Sequence, residues 1–299
     1  GEEFTGYLHT SPEYTMKKML AAGYEKIFFL GKVFRDYESF GGTHNPEFTL
    51  IEWYRSGADM YALMEDVEEL FGFVGEKVKN WKLETGNLGI QDEDSANFQF
   101  SISNFSSFER IHMRDLWELC IGVDLDEYLT VESMFKLCAG KGYNPVEGES
   151  YEELFYRIFL NEIEPYLNKN QPAIVHHYPM AMAALARQSE KDPGYAERME
   201  VYVGGLELAN GFSELTDAAE QRRRLEEEQK RRAEMGKDVF PIDEEFIEAL
   251  RTMPPVAGIA LGVDRMIQLF ASRSGSRQVG CENIDSVITL PASKLFQDL

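Results

Sequence analysis

Three stretches of the chain carry side chains that could do chemistry, and all three offer acids, arginines and aromatic rings. In Phe34–Tyr54 (FRDYESFGGTHNPEFTLIEWY), strand periodicity puts Phe48, Leu50, Glu52 and Tyr54 on one face. A ring, a carboxylate and a phenol on a shared face are an odd way to build a core. Either this is an edge strand with one wet face, or it is a cleft floor. A cleft floor would stack a planar ring on Phe48 and receive a cation at Glu52 and Tyr54. Arg35 ends the preceding strand, where its planar fork suits a carboxylate or phosphate. His44 and Asn45 close the intervening loop, where donors can meet phosphate oxygens, although a lone His44 is more often a loop residue than a catalyst.

The second stretch, Glu200–Glu214 (EVYVGGLELANGFSE), spaces Glu200, Glu207 and Glu214 around Gly204, Gly205 and Gly211. Carboxylates are hard oxygen ligands suited to Mg²⁺ when a nucleotide supplies the remaining ligands. A turn-rich hairpin with exposed acids fits the spacing equally well. The third, Gly258–Phe270 (GIALGVDRMIQLF), runs small residues into a helix that opens with Asp264-Arg265. A helix start beside an arginine suits an anion; a tightly packed strand–helix turn capped by Asp264 is the plainer reading. The chain has no GxxxxGK[ST] loop, no HExxH and no GxSxG elbow.

The elements that must position these residues are also legible. Ser11-Pro12-Glu13 reads as a helix start, with a hydroxyl cap and proline at the first helical position, and the helix stops at Gly23. Strands are expected at Lys26–Leu30, Lys32–Arg35 and Glu47–Arg55, with a loop over Asp36–Pro46. Met60–Trp81 predicts a long amphipathic helix capped by Asp59. Residues 84–107 are polar and weakly patterned, a loop-rich insertion. Helices follow near 112–119, 131–140 and 150–167, with strands at Ala173–Tyr178 and Arg198–Val203. Thr216–Met235 is dense in Arg and Glu; its acids match its bases, so a solvated helix face is favoured over an RNA contact. Val256–Leu261 is a strand and Val263–Phe270 a helix. Hairpin-like strands mixed with helices favour α+β with an antiparallel sheet.

Composition bounds the reading. The chain has 299 residues, 43% hydrophobic and 27% charged, which is globular rather than disordered. Its 52 acids against 30 bases give a net charge of -22, which argues against non-specific nucleic-acid binding and a polybasic membrane surface. No apolar run reaches the roughly 20 residues of a membrane span, and the first ten residues are too mixed for a signal peptide. Cys120, Cys138 and Cys281 form no CxxC pair, which points to a reducing cytoplasm. Gly1 precedes a helix directly, with no Met, so the natural chain is expected to begin further upstream.

Together the three stretches resemble the catalytic domain of class II aminoacyl-tRNA synthetases of the lysyl type. Phe34–Tyr54 resembles that class's motif 2 and Gly258–Phe270 its motif 3. HNPEFT (His44–Thr49) and ELANGFSEL (Glu207–Leu215) are specific to it. Within the class, TSPEY (Thr10–Tyr14), EWYR (Glu52–Arg55), PIDEEFIEAL (Pro241–Leu250) and MPPVAGIALGVDR (Met253–Arg265) resemble the elongation factor P–lysine ligases, paralogues of lysyl-tRNA synthetases. The resemblance covers about Tyr7 to Leu290.

It implies a single catalytic domain over residues 1–299, an antiparallel sheet flanked by helices, N-terminally incomplete because motif 1 is absent. It implies an ATP-dependent ligase that activates (R)-β-lysine or lysine and passes it to a lysine side chain of elongation factor P, as a homodimer when full length. Neither stable tRNA binding nor a membrane is implied. Arg35 would grip the substrate carboxylate and the α-phosphate; Asp36, Glu38, His44, Asn45, Leu208 and Gly262 would meet the nucleotide; Phe48 and Arg265 would sandwich adenine. Glu200 and Glu207 would hold Mg²⁺. Ser11, Pro12 and Glu13 would take the near amino group, Glu52, Tyr54 and Glu214 the distant ammonium, with Asn210 in support. Ala260, where lysyl-tRNA synthetases typically carry Gly, would tilt the choice between α- and β-lysine. The chain departs from the family by one extra residue between Arg35 and Asn45, by Thr43 in place of a basic residue, and by an apolar YPMAMAA at Tyr178–Ala184. A lysyl-tRNA synthetase catalytic domain cut from its anticodon-binding module, and a non-catalytic regulatory paralogue, remain as alternatives.

Overall fold

The computed structural model describes residues 6–35, 42–84, 107–168, 171–270, 283–289 and 291–292. The insertion expected at 84–107 therefore lies almost wholly outside the described residues, as do Asp36 and Glu38.

Helix α1 (Glu13–Ala21) ends before Gly23, whose φ of 99° turns the chain into β1 (Lys26–Phe34). That left-handed turn is glycine's own region. Two strands were expected here; the structure makes one, because Gly31 does not break the extended backbone. It leaves room instead, since a Cβ there would meet the Phe29 ring at 2.7 Å. Strand β2 (Glu47–Ser56) returns alongside β1. Helix α2 (Met60–Glu84) follows, with Asp59 Oδ1 accepting from the Tyr61 and Ala62 amides as expected.

The middle of the chain adds β3 (Glu109–His112), α3 (Met113–Ile121), α4 (Val131–Gly140) and α5 (Tyr151–Ile158). The single helix predicted to residue 167 is instead α5, a π-helical turn over Phe159–Ile163, and α6 (Glu164–Leu167). Pro165 supplies the reason: it has no N–H to continue the ladder, and the wider turn absorbs the loss. Then come β4 (Ala173–Pro179), β5 (Tyr195–Val203), β6 (Leu206–Ser213), α7 (Ala218–Glu234), α8 (Glu244–Leu250), β7 (Val256–Gly262) and α9 (Val263–Phe270). On α7, Arg223 pairs with Glu220 and Glu227 of its own helix, the solvated face that its balanced charges predict.

The seven strands among the described residues form one sheet in the order β1-β2-β7-β6-β5-β4-β3. Every pairing is antiparallel except β3 with β4. The architecture is α+β, as expected, but β3 was not foreseen. Four residues carry too little alternation to announce a strand.

The two faces of the sheet are covered differently. On one, Met60, Leu63, Met64, Val67 and Phe71 of α2 and Met266 of α9 pack on Val201, Ile259 and Leu261 in a continuous core. On the other, the cover is split. Met16 and Leu20 of α1 with Phe246 and Leu250 of α8 cluster around Tyr54 at the β1–β2 end. Leu116 and Trp117 of α3 and Leu154 and Phe155 of α5 cluster with Val175 and Tyr202 at the β4–β5 end. The middle strands, β7 and β6, lie between these two apolar clusters.

Candidate active site

Sheet register puts the chemistry in the gap. Glu52 of β2 lies opposite Ala260 of β7, Ala260 opposite Asn210 of β6, and Asn210 opposite Glu200 of β5. One row thus crosses four neighbouring strands. The next row on the same face, two residues along each strand, is Tyr54, Gly258, Phe212 and Arg198. A pocket of about 160 Å³ opens over these rows, lined by Ser11, Glu13, Arg35, Glu52, Tyr54, Asn210, Glu214 and Ala260 among others. Of the residues expected to hold an amino acid, all but Pro12 come together here. Pro12 opens the helix instead, its carbonyl accepting from the Met16 amide.

The pocket is dry and acidic. Glu52 and Glu214 are each 2% exposed. Tyr54 Oη donates to Glu52 Oε1 at 2.5 Å and Ser11 Oγ to Oε2 at 3.0 Å, while Ser11 Oγ accepts from the Glu13 amide. Pro12, not Ser11, takes the cap position of α1, so Ser11 stands one residue outside the helix and its hydroxyl bridges Glu52 and the Glu13 amide. Burial, with the Glu13 charge adding to it, pushes the Glu52 carboxyl up to about 7 against the bonds from Tyr54 and Ser11. Burial pushes Glu214 up to about 8, with Glu13 and Glu52 adding to it and Lys17 opposing it. Asn210 Oδ1 is buried with no hydrogen-bond partner among the described residues. An unpaired acceptor beside carboxyls held above their ordinary range is a site waiting for a donor with positive charge.

The sequence singled out neither of two further site residues. Lys17 is 1% exposed, its Nζ 2.6 Å from Glu13 Oε1 and 2.6 Å from Glu214 Oε2. The four-residue step from Glu13 to Lys17 on the apolar face of α1 was its one signal. At Gly258 a Cβ would run into the Tyr54 ring and stand 2.6 Å from Glu214 Oε1, so only glycine lets both side chains lie there.

The other end of the cleft is cationic. Arg35 is exposed at its rim, its guanidinium carbon 5.1 Å from the Phe48 ring centroid. Arg265 ties three segments together: Nε donates to the Thr43 carbonyl at 3.1 Å, Nη1 to the Glu207 carbonyl at 2.6 Å, and Nη2 to His44 Nε2 at 2.8 Å. Because arginine only donates, His44 accepts at Nε2, and the imidazole proton sits on Nδ1, 3.1 Å from Thr43 Oγ1. Asn45 is buried; its Nδ2 donates to the Glu47 carbonyl at 2.6 Å and its Oδ1 accepts from the Ala292 amide at 2.9 Å. Its amide anchors the loop end. Asp264 accepts from the Thr49 amide at 2.6 Å, tying α9 to β2. Leu208 is buried in the core behind the sheet, and Gly262 lies opposite Leu50.

The two acids expected at a metal differ in freedom. Glu200 is buried and takes three donors: Tyr178 and Tyr202 hydroxyls on Oε2 and Arg198 on Oε1, each at 2.6 Å. Glu207 stands at the rim, its side chain 44% exposed and 4.0 Å from Arg265. Burial of its surroundings and the Glu200 charge raise its carboxyl, though water at the rim screens part of that push. Among the described residues no group of three or more His, Cys, Asp or Glu side chains could hold a metal by itself. A Glu207 carboxylate, with the remaining lone pair of Glu200 Oε1, fits a cation whose other ligands are phosphate and water oxygens. No helix among the described residues is long and apolar enough to cross a membrane.

The family model for class II tRNA synthetases (D, K and N) matches residues 1–294, and the chain belongs to that family. Its relatives narrow the class. The elongation factor P–(R)-β-lysine ligase of Pectobacterium atrosepticum is 41% identical over 266 residues, 89% of this chain and 73% of that protein. The ligases of the same name from Proteus mirabilis and Hamiltonella defensa are 37% and 36% identical over 95% and 96% of this chain, and 77% and 78% of theirs.

Proposed function

We propose that the protein is an ATP-dependent ligase that activates (R)-β-lysine, or lysine, as an aminoacyl adenylate and transfers it to a lysine side chain of elongation factor P. The observation that carries this is the charge layout of the pocket: three carboxylates, Glu13, Glu52 and Glu214, gather at one end, and Arg35 stands at the other. A diamino acid places an ammonium on the acids and its carboxylate on the arginine. A neutral or acidic side chain would leave buried charge unpaired. The relatives' names supply the acceptor.

Arg35 orients the substrate carboxylate so that one oxygen attacks the α-phosphorus in line as pyrophosphate leaves, and it offsets charge gathering on the phosphoryl oxygens. Phe48 offers a face to the adenine, with Arg265 holding the motif 2 loop end against β6. Mg²⁺ held by Glu207 and Glu200 would neutralise the departing phosphates. In the second half-reaction the acceptor amine attacks the adenylate carbonyl and AMP leaves. Glu13, Glu52 and Glu214, with Asn210 Oδ1 in support, hold the amino groups.

A lysyl-tRNA synthetase catalytic domain is the second reading, and Ala260, beside Glu52 and Asn210 in register, is the residue that bears on it. Amino-acid-dependent ATP–pyrophosphate exchange tests both, comparing (R)-β-lysine with L-α-lysine. A β-lysine preference supports the ligase. An α-lysine preference favours the synthetase, and no exchange with either refutes both.

A further inference from the structure

Behind two of the acids that line the pocket lies a buried ammonium group of the protein's own. Lys17 Nζ sits between Glu13 and Glu214, 5.9 Å from the Phe246 ring centroid. Its neighbour Lys18 shows the ordinary alternative, pairing at the surface with Asp243 and Glu245. A lysine is rarely buried unless something demands its charge. The groups facing Lys17 are Glu13 on its own helix and Glu214 at the end of β6, with Glu52 and Tyr54 of β2 and Tyr14 of α1 close by.

The charge count is specific. When all are ionised, three carboxylates and one ammonium leave the acidic end two positive charges short of balance. A diamino monocarboxylic acid brings two ammonium groups to these acids, the near one to Glu13 and the distant one to Glu52 and Glu214, and one carboxylate to Arg35. With Lys17 present, the filled pocket is neutral at both ends. With Lys17 absent, one carboxyl of the filled pocket has no cation beside it, and burial holds its proton even with the substrate bound. A protonated Glu214 would no longer penalise an isostere that lacks the distant ammonium.

Building on the function proposed above, we infer that Lys17 is a specificity-determining residue: a fixed counter-cation between Glu13 and Glu214 that sets the pocket to accept two substrate ammonium groups. Burial alone would lower the Lys17 ammonium, but the charges and hydrogen bonds of Glu13 and Glu214 outweigh it and leave it above its ordinary value, so it stays charged.

The test is the ratio of kcat/KM for lysine to that for norleucine, its isostere without the distant ammonium, in pyrophosphate exchange. The ratio does not depend on the fraction of active enzyme. Lys17→Met should lower it about ten-fold at pH 7, with part of the loss recovered at pH 9, where the spare carboxyl ionises. Lys17→Arg, which keeps the charge, should hold it near the wild-type value, and the KM for ATP should not move in either. An unchanged ratio in active Lys17→Met enzyme overturns the inference, as does a drop equal at both pH values. A second measurement needs no variant. In competitive acylation of the wild-type lysines, read by mass spectrometry, Lys17 should be among the least reactive both with and without bound lysine. Reactivity that appears on binding would make Lys17 a stand-in that the substrate displaces, which also overturns the inference. If the wild-type enzyme activates no diamino acid, it is the proposed function that has failed.

Discussion

Replacing Glu52 by Gln should make the protein more stable and less active, and the gain in stability should grow with pH. Its carboxyl lies at about 7 in the folded protein against an ordinary 4.5, chiefly through burial. A carboxyl raised on folding binds more protons folded than unfolded between those two values. Stability therefore falls as pH rises through that window, and the full penalty is present only above the folded value. The gap between about 7 and 4.5 is worth about 3.4 kcal/mol, of which about 2.5 kcal/mol is lost between pH 5 and pH 8. Glutamine removes that dependence. It keeps an oxygen for the Tyr54 hydroxyl at 2.5 Å, but its amide faces Ser11 Oγ, which already accepts from the Glu13 amide. That mismatch costs about 1 kcal/mol at every pH, so the difference in slope carries the test. Urea unfolding at pH 5 and pH 8 should show the stability difference, variant minus wild type, rising by about 2.5 kcal/mol. Lysine-dependent exchange should fall on the order of a hundred-fold, because a buried charge-assisted contact is lost. Parallel stability curves for the two proteins would refute the raised carboxyl and, with it, the dry acidic pocket.

Other expected outcomes follow from single contacts. Gly258→Ala should raise the KM for lysine by about ten-fold or more while sparing the KM for ATP, since the new methyl meets the Tyr54 ring and Glu214; an unchanged lysine KM removes the close approach from the argument. Arg265→Ala should abolish adenylate formation, because it cuts the links to Thr43, His44 and Glu207 at once. Near-normal exchange would show that the motif 2 loop end needs no such anchor. Ala260→Gly should shift preference toward α-lysine by about ten-fold, or about 1.4 kcal/mol, the scale of one methyl group in a pocket. Kinetics with both lysine isomers would show it, and no shift would detach Ala260 from the choice.

Much of the site was legible because strands have a strict two-residue period. Once Glu47–Arg55 reads as a strand, Glu52 and Tyr54 must share a face, and the structure places both in the pocket. Ser11, Glu13, Asn210, Glu214 and Ala260 came from the resemblance, and they meet there as well. What the sequence concealed depends on register between distant segments. Lys17 reads as one of two adjacent lysines on a helix, and only the packing of α1 over β2 decides that one points inward and the other outward. Gly258 reads as a small strand residue until Tyr54 is seen lying across it. Asn45 carries a polar amide that a sequence cannot tell from a ligand contact, yet both its ends are taken by backbone groups. Asp264 reads as a helix cap and instead joins α9 to β2. The short strand β3 is held by its parallel pairing with β4, which no local pattern announces.

The position of the cleft follows from how the sheet is covered. One face is sealed by α2 and α9 with an unbroken apolar core, so the strands can carry polar residues on the other without losing their support. On that second face the helices of α1 and α8 and those of α3 to α6 build two separate apolar clusters rather than one. The strip between them cannot be closed by hydrocarbon, because its floor is Glu52, Asn210 and Glu200 in register. At the β5 end the protein satisfies its own acid, giving Glu200 two phenols and an arginine. At the β2 end it stops short: Lys17 answers only part of the charge on Glu13, Glu52 and Glu214, and Asn210 Oδ1 is left without a donor. The same fold thus completes one buried carboxylate and leaves two others, beside the half-buried Glu13, undercompensated. The difference between those two ends, rather than the presence of acids, marks where a cationic substrate belongs.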